Sequence, residues 1–138
     1  MQISSRLTMA VHMLVYINVH SNEKVTSDMM AKSVNTNPVI IRRLLSQLKE
    51  AEIITVTRGT GGVEIIKPLN KITLLDIYYA VECVGEENLF AFHNPNKRDK
   101  VGRKIHPALD DRLLNAQNAL EKQLSKVNLS QIINDIKQ

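Results

Sequence analysis

The chain has 138 residues, enough for one domain or for a small domain with a long appended helix. It is 43% hydrophobic but only 4% aromatic, which suits a helical core of Leu, Ile and Val, and a formal charge of +4 tilts it modestly toward an anionic partner. Its one cysteine, Cys83, excludes an intramolecular disulfide framework and a multi-thiolate metal site, as expected in a reducing cytoplasm.

In chain order, Ser4 or Ser5 can cap a first helix running to about Val19, with Leu7, Ala10, Val11, Leu14 and Ile17 on one face. His12 and Asn18 interrupt this apolar stretch, and it falls short of the roughly 18 apolar residues a membrane span needs. No small-residue cleavage site follows it, so it reads as a helix and neither as a signal nor as an anchor. After a turn at Ser21 to Lys24, a short second helix capped by Thr26 or Ser27 runs to about Val34, with Met29, Met30 and Val34 inward. Asn35-Thr36 then connects tightly to a third helix.

That third helix has Asn37 as its cap and Pro38 at its first position, where a missing N–H costs nothing. Ile41, Leu44, Leu45 and Leu48 recur at i, i+3, i+4, i+7 and share a buried face. Val39, Arg42, Arg43, Ser46 and Glu50 fall on the opposite side. Ile53 to Thr57 and Val63 to Ile66 are β-branched runs flanking Arg58, Gly59, Thr60, Gly61 and Gly62, a hairpin with a basic, glycine-rich tip. The glycines provide turn geometry and also let the backbone lie close to phosphates. A helical turn followed by such a hairpin is the layout of a winged helix-turn-helix, in which the helix enters a major groove and the wing reaches the neighbouring backbone.

Thr73 to about Val84 forms a fourth helix, opened by a Thr73-x-x-Asp76 capping pattern. Leu74, Ile77, Tyr78 and Val81 make one apolar face; Leu75, Tyr79 and Cys83 contribute to another, so the helix is expected to be sandwiched. Residues 85–100 carry the Gly, Pro and Asn of a loop, with Leu89, Phe90 and Phe92 pinning it down. From Val101 or Pro107 a long helix runs to about Val127, and Ile105, Leu109, Leu113, Ala116, Leu120, Leu124 and Val127 form the seam of a coiled-coil-like contact. A small head cannot cover so long a seam, which points to self-association. Asn128 restarts a short terminal helix holding Ile132, Ile133 and Ile136. The chain thus divides into a DNA-binding head with its fourth helix (1–84), a loop (85–100), and a dimerisation helix with a short terminal helix (101–138), a mainly α fold with one small β-hairpin.

This order resembles the Rrf2 family of bacterial winged-helix regulators along nearly the whole chain. The resemblance is strongest in Arg43-Leu44-Leu45-x-x-Leu48-x-x-Ala51 followed by Arg58-Gly59-x-Gly61-Gly62-Val63. The run Leu89 to Asn96, the run Val101-Gly102-Arg103-Lys104-Ile105, and the late Asn128-Leu129-Ser130-Gln131-Ile132-Ile133 are similar to a subgroup of that family. The resemblance implies a homodimer whose long helices pair and carry two heads to a partly palindromic operator. Many members hold an iron–sulfur cluster on three cysteines between the fourth helix and the dimer helix. Here the segment from Val84 to Lys104 has no cysteine, and Asp99 stands where some relatives have one. Cys83 alone cannot make a three-thiolate site, so the DNA-binding role carries over and the cluster does not; no cofactor is expected.

Arg42 and Arg43 are suited to reading guanine or neutralising phosphate, with Arg43 nearest the centre of the outward face. Thr36 and Asn37, at the start of the helix, suit a phosphate. Ser4, Ser5 and Arg6 could do the same, although capping explains the two serines more simply. The basic run at Lys97, Arg98, Lys100, Arg103 and Lys104 fits a solvated loop better than an extended DNA footprint. Cys83 is a candidate redox switch, but Glu82, Glu86 and Glu87 disfavour its thiolate and favour a quiet, packed side chain. His93, His106 and Asp110 lack the spacing support of a metal site, and no nucleophile–base or phosphate-loop pattern argues for an enzyme. The expected protein is therefore a cytoplasmic homodimeric transcription factor, most simply a repressor, with double-stranded DNA as its partner. A winged helix used only for protein contact is the rival. The effector is left open among a small molecule between the fourth and long helices, an oxidant at Cys83, and none.

Overall fold

The computed structural model of the chain describes residues 4–57, 62–82 and 89–138. Its helices are α1 (Arg6–Val19), α2 (Ser27–Val34), α3 (Pro38–Glu50), α4 (Leu74–Val81), α5 (Lys100–Leu124) and α6 (Leu129–Lys137). Two strands, β1 (Ile54–Val56) and β2 (Val63–Ile65), follow α3, and a single 3-10 turn at Leu69–Lys71 leads into α4. The strands are antiparallel, pairing Ile54 with Ile65, Thr55 with Glu64 and Val56 with Val63. Each is shorter than the run of β-branched residues around it, although Ile66 still donates to the Ile53 carbonyl at 3.0 Å.

The helix starts follow capping chemistry. Thr26 accepts from the Met29 N–H, and Asn37 accepts from the Ile40 N–H with Pro38 just inside. Thr73 and Asp76 form the expected reciprocal box, and Asn128 and Gln131 form a second at α6. At α1 the N-cap residue Ser5 makes no side-chain cap bond, while the Ser4 hydroxyl accepts from the Arg6 N–H at 3.2 Å. The same hydroxyl donates to the Glu82 carboxylate, and Arg6 pairs with that carboxylate at 3.0 Å, fastening the start of α1 to the end of α4. The long helix begins at Lys100, ahead of both Val101 and Pro107, because Asp99 caps it by accepting from the Gly102 N–H at 3.1 Å.

One core joins these elements. Ala10, Met13, Leu14 and Ile17 of α1 meet Met30 of α2, the α3 stripe and Ile77 and Val81 of α4. Met13 and Val15 are buried beyond the face anticipated for α1, and Ala31 takes the inward place on α2 beside Met30, while Met29 and Val34 are half-buried. The reason is that α1 is central: it contacts α2, α4, β2 and α6. On α3 the buried set is Ile41, Leu44, Leu45 and Leu48, as the heptad-like spacing requires.

The C-terminal segment returns to this core. Leu129 is fully buried and Ile133 nearly so, against α1 and the 3-10 turn. Backbone bonds fix the return: Leu74 donates to the Val127 carbonyl at 2.9 Å, and Leu129 donates to the Ile72 carbonyl at 2.8 Å. That use of Val127 explains why α5 stops at Leu124, before the expected Val127. Of residues 128–138, grouped with the dimerisation helix from sequence, Leu129 and Ile133 thus sit in the head and Ile132 packs against it, while Ile136 is exposed. The helix α4 ends at Val81 with Glu82 as its C-cap, ahead of the expected Val84; residues 83 and 84 lie outside the described residues.

Candidate nucleic-acid interface

The helix α3 is held from one side only. Its four buried residues face the core, and Val39, Arg42, Arg43, Ser46 and Glu50 all lie exposed on the other side. Val39, in the first turn, is 55% exposed and makes no part of the core. The turn before α3 is set by Asn35, which adopts a left-handed conformation at φ 64° and closes α2. Thr36 follows half-buried, its N–H donating to the Ala31 carbonyl at 3.0 Å. Asn37 spends its Oδ1 on the Ile40 N–H at 3.1 Å, which leaves its amide N–H group as the part able to meet a phosphate.

Arg42 and Arg43 project from this exposed face, and neither makes a salt bridge among the described residues. Two adjacent guanidinium groups on a helix whose far side is locked into a core make its outer face cationic. The antiparallel hairpin sits directly after α3, in the position of a wing. Its tip residues Arg58, Gly59, Thr60 and Gly61 lie outside the described residues, as does Cys83. At the wing base, Lys67 pairs with Asp76 at 3.3 Å. Burial pushes the Asp76 carboxyl up, but hydrogen bonds from Thr73 and the bond and charge of Lys67 outweigh it, holding the group below the ordinary aspartate value.

The helix α5 is set apart. None of its 25 residues is buried: Ile105, Leu109, Leu113, Leu120 and Leu124 are half-buried and Ala116 is exposed. Tyr79 of α4 donates to Glu121 near its C-terminal end, and Gln117 bonds both Glu121 and the Leu89 N–H at 3.0 Å. The loop before it runs back along its side. Phe92 lies on His106 with ring centroids 4.6 Å apart, and His93 meets His106 edge-on at 5.5 Å. The Asn96 carbonyl closes over Gly102 so tightly that a Cβ there would fall 1.8 Å from it. Among the described residues no group of three His, Cys, Asp or Glu could hold a metal ion, so His93, His106 and Asp110 do not form one.

The match to known proteins is as broad as the fold. The profile of the Rrf2 family, described as iron-dependent transcriptional regulators, matches residues 3–135. The chain belongs to the Rrf2 family. It is 42% identical over 97% of its length to YwnA of Bacillus subtilis (strain 168), named as a candidate HTH-type transcriptional regulator, of which it covers 98%. Among solved structures it is similar to a candidate DNA-binding protein at 36% identity and a TM-score of 0.74, covering 94% of this chain and 99% of that one. A candidate transcriptional regulator from Lactobacillus plantarum gives a TM-score of 0.81 at 25% identity, covering 97% of this chain and 91% of the other. The chain is accordingly a DNA-binding transcriptional regulator with a winged-helix fold, and its Rrf2 relatives are regulators and not enzymes. No helix among the described residues is long and apolar enough to cross a membrane.

The iron in the family description does not fit this Rrf2 chain. A cluster needs soft thiolate ligands, and the chain has one cysteine. Asp99 is committed to capping α5 through Gly102, and the Asn96 carbonyl occupies the space above that glycine. Sequence reasoning missed the capping role of Asp99, although Asp two residues before Val101-Gly102 was a readable helix-start signal.

Proposed function

We propose that the protein is a homodimeric, sequence-specific repressor that occupies a partly palindromic operator and blocks promoter access. In this reading Arg43 reaches base edges in the major groove and Arg42 the backbone or an adjacent base edge. Val39 and Ser46 flank them, Thr36 and Asn37 hold a phosphate at the start of α3, and Arg58 with Gly59, Thr60 and Gly61 brings the wing to the neighbouring backbone. The observation that carries it is the two-sidedness of α3: a stripe of four buried aliphatics opposite an exposed face with two adjacent arginines. The pairing of α5 through Ile105, Leu109, Leu113, Ala116, Leu120 and Leu124 is supported by the fact that its own chain buries none of them. Two heads related by a two-fold axis require half-sites about one helical turn apart, or a multiple of it.

The test is a fluorescence-anisotropy titration on an operator selected from genomic fragments. Arg43→Ala should lose roughly 1–3 kcal/mol per half-site and relax sequence preference at one position. Arg58→Ala should weaken binding about equally on all sequences and lower the salt slope by about one per wing. Unchanged affinity in both variants would remove this assignment, and runoff transcription on the bound promoter separates repression from activation.

A further inference from the structure

The positive charge of this chain is concentrated in one short run. Of its 18 Lys and Arg and 14 Asp and Glu, five and one fall in residues 97–104, so that run alone accounts for the whole formal charge of +4. The remainder, α3 and the wing included, holds thirteen of each and is neutral in sum.

Sequence alone fits this run to a solvated loop, but the structure makes it a fixed platform at the start of α5. The Arg103 guanidinium donates to the Lys97 carbonyl at 3.4 Å and to the Arg98 carbonyl at 3.0 Å. The Arg98 N–H in turn donates to the Asn96 side chain at 3.0 Å. Asp99, the one acid of the run, accepts from the Gly102 N–H and makes no salt bridge with its basic neighbours. Lys97, Arg98, Lys100 and Lys104 are exposed, and among the described residues none has a salt bridge or a side-chain hydrogen bond. Lys100 and Lys104 are four apart and share one side of the helix. Like charges held this close repel one another, and an outside polyanion relieves the repulsion. Four cations strung along a loop and the first turns of a helix suit a row of phosphates, and a duplex carries one charge per about 1.7 Å of its axis. The platform belongs to neither α3 nor the wing. The 25 residues of α5, about 36 Å of helix, run from it to the end that Tyr79 of α4 holds through Glu121.

We propose that this platform is a second DNA contact, in which Lys97, Arg98, Lys100 and Lys104 neutralise backbone phosphates outside those met by α3 and the wing. The inference rests on the DNA-binding role and adds to it a term that does not depend on sequence, since phosphate contacts strengthen binding and fix register without reading bases. Arg103 is a positioning residue, holding the carbonyls of the two loop cations.

The experiment titrates a selected operator and an unrelated duplex by fluorescence anisotropy at salt from roughly 50 to 200 mM. It compares the parent with the combined variant Lys97→Gln, Arg98→Gln, Lys100→Gln and Lys104→Gln. The control removes as many charges elsewhere, at the exposed Lys24, Lys122, Lys126 and Lys137, each to Gln. Circular dichroism checks folding, and Lys100→Gln with Lys104→Gln alone serves if the loop changes disturb it. At a slope of about −0.9 per phosphate, four contacts amount to about 3.6 in log affinity against log salt. Across that range the parent's affinity should therefore drop about a hundredfold more than the patch variant's, equally on both duplexes, and the two-site variant should show about half the change in slope. Hydroxyl-radical footprinting should show backbone positions that the parent protects and the patch variant leaves open, distinct from those lost with Arg43→Ala. A patch variant with the parent's slope and footprint would overturn the contact while leaving the α3 assignment standing. An equal change in the control would assign the effect to bulk charge and overturn it likewise. A parent without salt-dependent affinity for either duplex would instead overturn the DNA-binding role itself.

Discussion

Truncating Leu129 to Ala tests whether the end of the chain is part of the head. The side chain is fully buried against the α1 and 3-10-turn side of the core. Removing it deletes three carbons, about 2.4 kcal/mol of transfer free energy at about 0.8 kcal/mol per carbon, and the residual cavity adds to that. The expected cost is therefore about 3 kcal/mol, inside the roughly 2–5 kcal/mol range for buried Leu→Ala. With about 2.1 cal/mol/K of unfolding entropy per residue, 138 residues convert this into a Tm lower by roughly 10 °C. Urea denaturation and calorimetry should be run at one fixed protein concentration, because association shifts apparent stability. Asn134→Ala, on the exposed side of α6, should stay within about 0.5 kcal/mol. If Leu129→Ala cost no more than this control, α6 would not belong to the head and the account of the core would be wrong.

Three further outcomes follow from local geometry. Asp76 has a carboxyl whose pKa is depressed in the folded chain, so its contribution is present above the ordinary aspartate value and is lost as pH falls below it toward the lowered one. Urea midpoints measured from pH 5 downward should therefore fall less steeply for Asp76→Asn than for the parent, and Thr73→Ala should cost about 1 kcal/mol at neutral pH through the lost cap. Gly102→Ala forces the Asn96 carbonyl away from the start of α5, since the new Cβ would lie 1.8 Å from that oxygen. Hydrogen exchange at residues 96–103 should accelerate while α1 to α4 stay protected; an unchanged rate there would refute the close approach.

Much of the head was legible because its signals are local. The Asn37-Pro38 start and the Ile41, Leu44, Leu45, Leu48 stripe define α3 within a dozen residues, and the structure returns both the cap and the buried face. Thr73 and Asp76 are likewise a short-range pattern. What sequence could not supply was long-range partnership. Nothing in the periodicity of Ile132, Ile133 and Ile136 tells whether they turn to the head or to another chain; the Ile72–Leu129 and Val127–Leu74 backbone bonds decide that, and they join residues more than fifty positions apart. Ser4 illustrates the same limit: its bond from the Arg6 N–H is local and readable, but its bond to the Glu82 carboxylate, 78 positions away, is not. The outward arginines of α3 were readable, and their geometry is now fixed as exposed, whereas the wing tip and Cys83 lie outside the described residues.

The bonds that return Val127 and Leu129 to the start of α4 mean that the reading head has no clean cut point. A fragment ending after α4 would expose the cavity that Leu129 and Ile133 fill and would strand the N–H of Leu74 and the carbonyl of Ile72. Grafting this head onto a foreign scaffold would therefore require carrying residues 127–138 along, supplied in trans if not in sequence. Whatever displaces residues 127–129 must in turn break the backbone bonds to Ile72 and Leu74, at the start of α4.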